Sequence, residues 1–301
     1  MKKVLVFFFL LFSTGVFAQA PSWKVNEADF QFTMTFVAKL NIDGVTLSSK
    51  NDLVGAFVGT TCRGLSGLTY VESQKAYFAY LTVFSNTPGE LITFNVYNSA
   101  KNAITKISKQ VSFVPLQNIG NLFQSFSIAE PALSNKADLL TFNFLNVKSA
   151  SSVVTAGSAK VTIYEGNDLS NLTPVFTLSK GANLFKNRLA QKTGTTSDNF
   201  KGPVTYEVLS EDESTLSTYT VNVTQIPVPP MFYKKDAVCN TLGAIKVVSK
   251  KEGSTVSLTF NGKPSESKVI TNGEASFSNL FSGTYVATIG TDSKVIIINI
   301  K

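Results

Sequence analysis

The stretch NDLVGAFVGTTCRG, residues 51–64, contains residue types that could do chemistry. A thiolate at Cys62 could act as a nucleophile, and Gly55, Gly59 and Gly64 could shape a phosphate-binding loop. A nucleophilic cysteine needs a base, yet the 301 residues include no histidine. The glycines also lack the following Lys-Ser or Lys-Thr of a phosphate loop. The pattern of short apolar and β-branched residues between glycines instead predicts a buried strand over Leu53–Val58.

The absence of histidine excludes whole classes of site. Ser-His-Asp and Cys-His catalysis and the common zinc sites all require it. Hydrolysis of glycosides by two carboxylates does not, but Asp52, Glu72 and Glu90 lie in polar, turn-like stretches with no apolar setting to raise a pKa. The sequence therefore predicts no catalytic residue, no cofactor and no metal, and a protein that is not an enzyme.

An acidic run, EDES, joins two strand-like segments of the sequence. The carboxylates of Glu211, Asp212 and Glu213 could hold calcium, because hard cations prefer clustered oxygens. Their adjacent spacing matches no calcium loop, and acids at a hairpin tip are typical of a solvated turn. We expect an exposed tip here.

The first residues, MKKVLVFFFLLFSTGVFAQA, have the pattern of a secretory signal. Lys2 and Lys3 precede an apolar run over 4–12, and small residues lead to Ala18. We expect cleavage after Ala18. The apolar run is shorter than the roughly 20 residues that cross a bilayer, and no later segment approaches that length. The sequence predicts an exported chain without a transmembrane segment, located at the cell surface or outside the cell in association with the outer membrane.

The formal net charge is +7. Lysines are frequent after residue 231, and a basic surface could meet anionic polysaccharide, lipopolysaccharide or nucleic acid. The lysines are scattered among Ser and Thr, without the Arg and aromatic residues of a nucleic-acid groove. We expect a solvated surface and no nucleic-acid partner.

Alternating segments throughout the chain predict an all-β protein of three consecutive immunoglobulin-like β-sandwich modules. In ADFQFTMTFVAKLNI, every second residue from Phe30 to Ile42 is apolar, which places one face of a strand in a core. After the signal peptide at 1–18, the predicted units are 19–131, 132–226 and 231–301, with the prolines of 227–230 forming a stiff linker. The pairs Asn261-Gly262 and Asn272-Gly273 predict tight turns, because type I′ turns need two residues that tolerate positive φ.

The two cysteines fall in different predicted units. Cys62 and Cys239 could form a disulfide only if the first and third units touched. Two separate, buried and unreactive thiols are the alternative.

Three segments of the first unit carry a family resemblance: MTFVAKLNIDG, DLVGAFVGTTCRG and YFAYLTVFSNTPGELITFNVYNS. A Val-Gly-Ala-Phe-Val strand leading to Cys-Arg-Gly, followed by Gly-Glu-x-Ile-Thr-Phe, resembles a β-sandwich module of surface proteins from Gram-negative bacteria that use type IX secretion. The second unit, with Phe-x-Phe, SDNFKGPVTYEV and Tyr-x-Val-x-Val, resembles the immunoglobulin-like domains of the same proteins. This resemblance implies location and architecture, and it brings no catalytic residues.

The third unit is similar to the C-terminal sorting domain of type IX cargo, through IKVVSKKEGSTVSLTFNGK, ASFSNLFSGTYVATIG and KVIIINIK. It lacks the Pro-Asn-Pro opening and carries Cys239 instead. A small adhesive repeat is the alternative interpretation.

The functional hypothesis is a non-enzymatic, adhesin-like surface protein that binds glycan or a protein partner at the outer membrane. An accessory subunit of an outer-membrane secretion or uptake complex is the alternative. Sugar rings stack on flat aromatic faces, and the candidate ligand-binding residues are therefore Trp23, Tyr70 and Tyr77, which lie near predicted strand ends.

Overall fold

A computed structural model describes residues 20–239 and 241–301. The predicted signal peptide and its cleavage after Ala18 lie outside these residues. Within them the chain is all-β, with two single turns of 3₁₀ helix at Glu27–Asp29 and Glu72–Gln74 and no α-helix. The predicted fold class, an all-β protein of sandwich modules, is confirmed.

The first unit contains nine strands: β1 (Phe32–Ile42), β2 (Val45–Thr46), β3 (Leu53–Val58), β4 (Thr61–Val71), β5 (Ala76–Ser85), β6 (Leu91–Asn98), β7 (Ala103–Ser112), β8 (Asn118–Ile119) and β9 (Phe126–Glu130). They pair in the order β2-β1-β5-β4-β3-β6-β7, and β8 and β9 run parallel to β1. The long strand β4 joins the two halves, since its first part pairs with β3 and its last part with β5.

The alternating residues of β1 form the core of this unit, as their period predicts. The side chains of Met34, Phe36 and Leu40 are buried against β3, β5 and β6. Phe30 and Phe32, which the same alternation placed in the core, are only half-buried at the entrance to the strand. Strand β3 is buried as expected and pairs on both sides, with β4 and β6.

The second unit contains eight strands: β10 (Leu139–Phe144), β11 (Ser149–Thr155), β12 (Ser158–Tyr164), β13 (Pro174–Leu178), β14 (Asn183–Lys186), β15 (Leu189–Gln191), β16 (Val204–Leu209) and β17 (Leu216–Ile226). A two-stranded sheet, β10-β13, faces a six-stranded sheet in the order β11-β12-β17-β16-β14-β15. The predicted hairpin is β16 with β17, in which Tyr206 lies opposite Tyr219. A separate hydrophobic cluster fills the space between the sheets.

The third unit contains seven strands: β18 (Met231–Lys235), β19 (Gly243–Val248), β20 (Thr255–Phe260), β21 (Lys263–Val269), β22 (Glu274–Leu280), β23 (Gly283–Ile289) and β24 (Asp292–Ile298). Sheets β18-β19-β22 and β21-β20-β23-β24 enclose a third cluster. Both Asn-Gly pairs have positive φ at both residues, as the turn prediction requires. Asn261-Gly262 closes the β20-β21 hairpin, whereas Asn272-Gly273 carries the chain from one sheet to the other.

Candidate functional site

Two of the three predicted ligand-binding residues lie together. Tyr70 of β4 and Tyr77 of β5 are direct cross-strand partners, and their ring centroids are 5.1 Å apart. Tyr77 packs partly against the first core, while Tyr70 is 46% exposed. The pair therefore presents one accessible aromatic ring at the end of the sheet.

Trp23 belongs to a different group of aromatic residues. Its ring meets Phe57 edge-on, at a centroid distance of 5.4 Å. It also lies over Gly55, where an added Cβ would be 2.9 Å from the indole. Trp23 thus covers the outer face of β3, and the close approach explains why a glycine stands at position 55.

The Cys-Arg-Gly segment has structural contacts. The Cys62 thiol donates to the Gly64 carbonyl oxygen, with sulfur and oxygen 3.4 Å apart, and burial raises the pKa of this thiol. The Arg63 guanidinium lies over the Phe30 ring, 4.6 Å from its centroid, and pairs with Glu90. These contacts attach the segment before β1 to the sheet.

Both cysteines are free thiols. Cys62 is half-buried. Cys239 is exposed, so the expectation that both thiols would be buried is wrong for Cys239. It lies in a turn between β18 and β19 and not within a strand of the core.

The acidic hairpin tip, residues 211–213, is not the solvated turn that its composition predicts. Asp212 is 9% exposed, and Glu211 and Glu213 are half-buried. The tip lies against the first unit, which supplies three donors to the Glu213 carboxylate. We call this contact between the first and second units the junction.

Glu213 makes the shortest contacts at the junction. The Lys39 ammonium is 2.6 Å from Glu213 Oε1. The backbone N–H and the hydroxyl of Ser125 donate to Glu213 Oε2 at 3.1 and 2.5 Å. One carboxylate therefore takes three hydrogen bonds from the first unit.

The other two acids, Glu211 and Asp212, bind the backbone of Ser134, which lies between β9 and β10. Glu211 Oε2 accepts from the Ser134 N–H at 3.0 Å, and the Ser134 carbonyl oxygen accepts from the Asp212 N–H at 3.0 Å. The Asp212 carboxylate also accepts from the Ser210 and Ser214 hydroxyls, each at 2.7 Å, which fixes the turn.

Lys109 adds a desolvated cation beside the tip. Its ammonium donates to the Ser127 carbonyl oxygen at 3.2 Å and lies 4.2 Å from the centroid of the Phe126 ring. Burial lowers the pKa of Lys109, and the nearby Asp212 charge opposes that shift. The junction thus combines three carboxylates with two ammonium groups.

An aromatic contact extends the junction. The Phe123 ring meets Phe185 of β14 edge-on at 5.0 Å, and the Arg188 guanidinium lies 3.8 Å from the centroid of Phe123. Apolar and charged contacts therefore act together to hold the two units.

Within the junction there is a cavity of about 260 Å³, the junction cavity. Its lining includes the following residues of both units: Lys39, Asn41, Ala76, Ser127, Asn183 and Glu213. Asn41 is 7% exposed, and its Oδ1 is buried without a hydrogen-bond partner, while its Nδ2 donates to Thr46 Oγ1 at 3.3 Å. The sequence pattern did not predict this unpaired, buried acceptor on a residue that lines a polar cavity.

Other acidic residues have structural partners. Asp52 is buried, and its carboxylate accepts from the Ser49 N–H and from both the N–H and hydroxyl of Ser99. Asp198 accepts from the Tyr206 hydroxyl at 2.8 Å, and burial together with Asp198 raises the pKa of Tyr206. These contacts close loops onto strands.

Across residues 20–239 and 241–301, no three His, Cys, Asp or Glu side chains are arranged so that together they could hold a metal ion. The same residues include no helix with the length and hydropathy that a membrane crossing needs.

Comparison with known proteins gives one family match. Residues 139–223 match the family model described as SGBP, N-terminal, a domain of surface glycan-binding proteins of the Bacteroidetes type. The match covers most of the second unit, including the strands on both sides of the acidic tip. A comparison with curated proteins finds no match.

Several solved structures share only a general likeness. A candidate glycoside hydrolase from Bacteroides thetaiotaomicron is 14% identical, with 55% of this chain and 82% of that chain covered and a TM-score of 0.28. Immunoglobulin domains 1–5 of Sidekick-1 are 11% identical, with 90% and 60% covered and a TM-score of 0.19. Extracellular domains 3–5 of Drosophila OTK are 10% identical, with 93% and 100% covered and a TM-score of 0.19. Scores this low support no shared function. The second unit of this chain is similar to an N-terminal domain of surface glycan-binding proteins.

Proposed function

We propose that this chain is a non-enzymatic surface protein that binds glycan. The match of residues 139–223 to a domain of surface glycan-binding proteins is the observation that carries the proposal. The lack of histidine supports a binding role, since it removes the commonest catalytic bases and zinc ligands. The exposed ring of Tyr70 supports contact with sugars, because aromatic faces pack against apolar surface.

Measuring polysaccharide binding and polysaccharide hydrolysis in parallel distinguishes a binding protein from an enzyme. The purified chain is titrated with xylan, mannan, mixed-linkage β-glucan and dextran in a calorimeter, and the same mixtures are assayed for new reducing ends. We expect saturable binding to at least one polysaccharide and no release of sugar. Release of sugar that a single Asp or Glu substitution abolishes would instead identify a hydrolase.

The aromatic pair gives a separate test of where glycan binds. Tyr70→Ala and Tyr77→Ala are compared with a control, Tyr80→Ala, which changes an exposed tyrosine on the opposite face of β5. If the pair is a stacking platform, its two variants should lose affinity while Tyr80→Ala does not. The predicted group of Trp23, Tyr70 and Tyr77 cannot act as one platform if Trp23→Ala lowers stability but leaves affinity unchanged.

Export to the surface by type IX secretion is the finer part of the proposal. The residue patterns of the first and third units support it, and the third unit would be the sorting signal. The full chain and a chain ending at Pro230 are expressed in a type IX-competent cell. We expect only the full chain at the surface, and a truncated chain that still arrives there would rule out the sorting role.

A protein partner is the alternative to glycan. The accessory-subunit role would be favoured by two results together. The chain co-purifies stably with one outer-membrane complex, and the purified chain binds none of the four polysaccharides.

A further inference from the structure

We propose that the junction cavity is a saccharide site, in which the Asn41 side-chain oxygen accepts a hydrogen bond from a hydroxyl group of one sugar ring. This inference rests on the proposed glycan-binding function and assigns it a place between the first and second units. The aromatic pair at Tyr70 and Tyr77 is a different location.

The unpaired acceptor is the first argument. A buried polar atom without a partner is destabilising, because it loses its hydrogen bonds to water and gains none in return. Asn41 lies on β1 beside β9, where an apolar side chain would avoid this cost. Its oxygen lacks a donor although Ser127 and Thr46 are near in the same cavity lining. A small rotation of the Asn41 side chain would turn this oxygen toward the cavity, where a ligand hydroxyl group can donate to it.

The surrounding groups indicate the class of ligand. The cavity lining combines two amides, Asn41 and Asn183, with the hydroxyls of Thr46, Ser125 and Ser127. Amides and hydroxyls both donate and accept, which matches a molecule that carries several hydroxyl groups. Small-molecule sites place a few such polar groups at defined positions to fix orientation.

The charges at the junction favour a neutral ligand. Three carboxylates of the acidic tip line the cavity, and Lys39 is already paired with Glu213 at 2.6 Å. A uronic acid or sulfated sugar would bring a further negative charge close to these carboxylates, which like charges disfavour. The junction cavity therefore selects uncharged sugars.

The size of the cavity limits what it can hold. Its volume, about 260 Å³, lies just below the range of roughly 300 to 1,000 Å³ that is usual for pockets of drug-sized ligands. One sugar ring matches that size, and an enclosed oligosaccharide does not. Two neighbouring cavities, which also touch Ser127 or Glu213, lie on the sides of the tip and give a longer chain a way out.

Because residues of both units line the cavity, a bound sugar would bridge them. The first unit contributes Asn41 and Lys39, and the second contributes Asn183 and the acidic tip. A ligand that binds only the docked arrangement stabilises that arrangement by mass action. Saccharide should therefore slow amide exchange at the junction as well as bind.

The test uses the full chain and the polysaccharide that binds best among xylan, mannan, mixed-linkage β-glucan and dextran. Asn41→Leu removes the acceptor at similar side-chain volume, and Ala76→Phe fills the cavity. Ala103→Phe, at an exposed position on β7, is the matched control for the added ring. Melting curves of each variant show whether it is folded.

We expect Asn41→Leu to weaken binding roughly tenfold, the effect of one lost buried hydrogen bond. Ala76→Phe should weaken it at least as much, and Ala103→Phe should leave it unchanged. If wild type binds but both cavity variants, while folded, bind equally well, this inference is wrong and the proposed function stands. If only Tyr70→Ala loses affinity for the polysaccharide, the site is at the aromatic pair. A wild-type chain that binds none of the four polysaccharides overturns both proposals.

Discussion

Replacing Glu213 by glutamine should loosen the junction without unfolding either unit. The substitution keeps the size of the side chain and removes its charge. The Lys39 ammonium, now 2.6 Å from a carboxylate oxygen, would lose its counterion, and the Ser125 N–H and hydroxyl would keep only a neutral acceptor. Hydrogen bonds to charged groups are stronger than neutral ones, so the contact weakens without disappearing.

The magnitude follows from burial. Two unit charges about 4 Å apart interact by about 1 kcal/mol in water and about 4 kcal/mol at an effective dielectric constant of about 20. The side chains of Lys39 and Glu213 are 27% and 20% exposed, so solvent screens part of this energy. We expect Glu213→Gln to cost about 1–2 kcal/mol of local opening free energy.

An ion pair within the first unit supplies the control for loss of a charge. Lys101 and Asp43 are 2.9 Å apart, but their side chains are 56% and 68% exposed. An exposed pair contributes about 0–1 kcal/mol, and neither Lys101 nor Asp43 lines the junction cavity. Asp43→Asn should therefore leave the junction unchanged.

Hydrogen exchange of the Ser125 amide measures the junction directly, because this N–H donates to Glu213. A loss of about 1–2 kcal/mol corresponds to exchange that is roughly 5 to 30 times faster. A double-mutant cycle with Lys39→Met separates the charge pair from the Ser125 bonds. If Glu213→Gln changes this exchange no more than Asp43→Asn does, the acidic tip does not anchor the two units in solution.

The remaining predictions concern two glycines and the two thiols. Gly64→Ala should destabilise the first unit by about 1–3 kcal/mol or more in urea unfolding, because its Cβ would lie 2.2 Å from the Thr82 carbonyl oxygen. Gly202→Ala, with no atom within 4 Å of the added Cβ, should be neutral or stabilise by up to about 1 kcal/mol, and equal losses in the two variants would contradict the packing argument. In brief N-ethylmaleimide labelling followed by mass spectrometry, Cys239 should react first and Cys62 slowly, since burial hinders access to Cys62 and raises its thiol pKa. Faster labelling of Cys62, or a crosslink between the two cysteines under non-reducing conditions, would show that these environments are wrong.

Local patterns were sufficient to predict the strands whose apolar residues alternate clearly or form a short apolar run, such as β1 and β3. A strand exposes alternate residues to one face, so the apolar row from Met34 to Ile42 could be assigned to a core before any partner was known. Ile92, Phe94 and Val96 of β6 alternate in the same way, and all three are fully buried. Turn residues were equally informative, because Asn261-Gly262 and Asn272-Gly273 need positive φ regardless of what surrounds them.

The sites could not be predicted in this way, because they depend on contacts between residues far apart in the chain. Tyr70 and Tyr77 are only seven positions apart and meet because β4 and β5 pair across one short connection. Trp23, in contrast, packs against the distant Phe57, over the face of β3 at Gly55. The acidic tip shows the limit most clearly. Its composition predicts solvent exposure, and only the position of the first unit decides that Lys39 and Ser125 replace water around Glu213.

The sequence by itself therefore determined that this protein is all-β and which faces of its strands are buried, since hydrophobic period and turn chemistry act over a few residues. Tertiary structure alone decided where its polar groups meet. Asn41 and Glu213 are 172 residues apart in the chain, and the cavity they share exists only because two separately cored units dock. Burial and pairing of charge are properties of that contact, and no local segment encodes them.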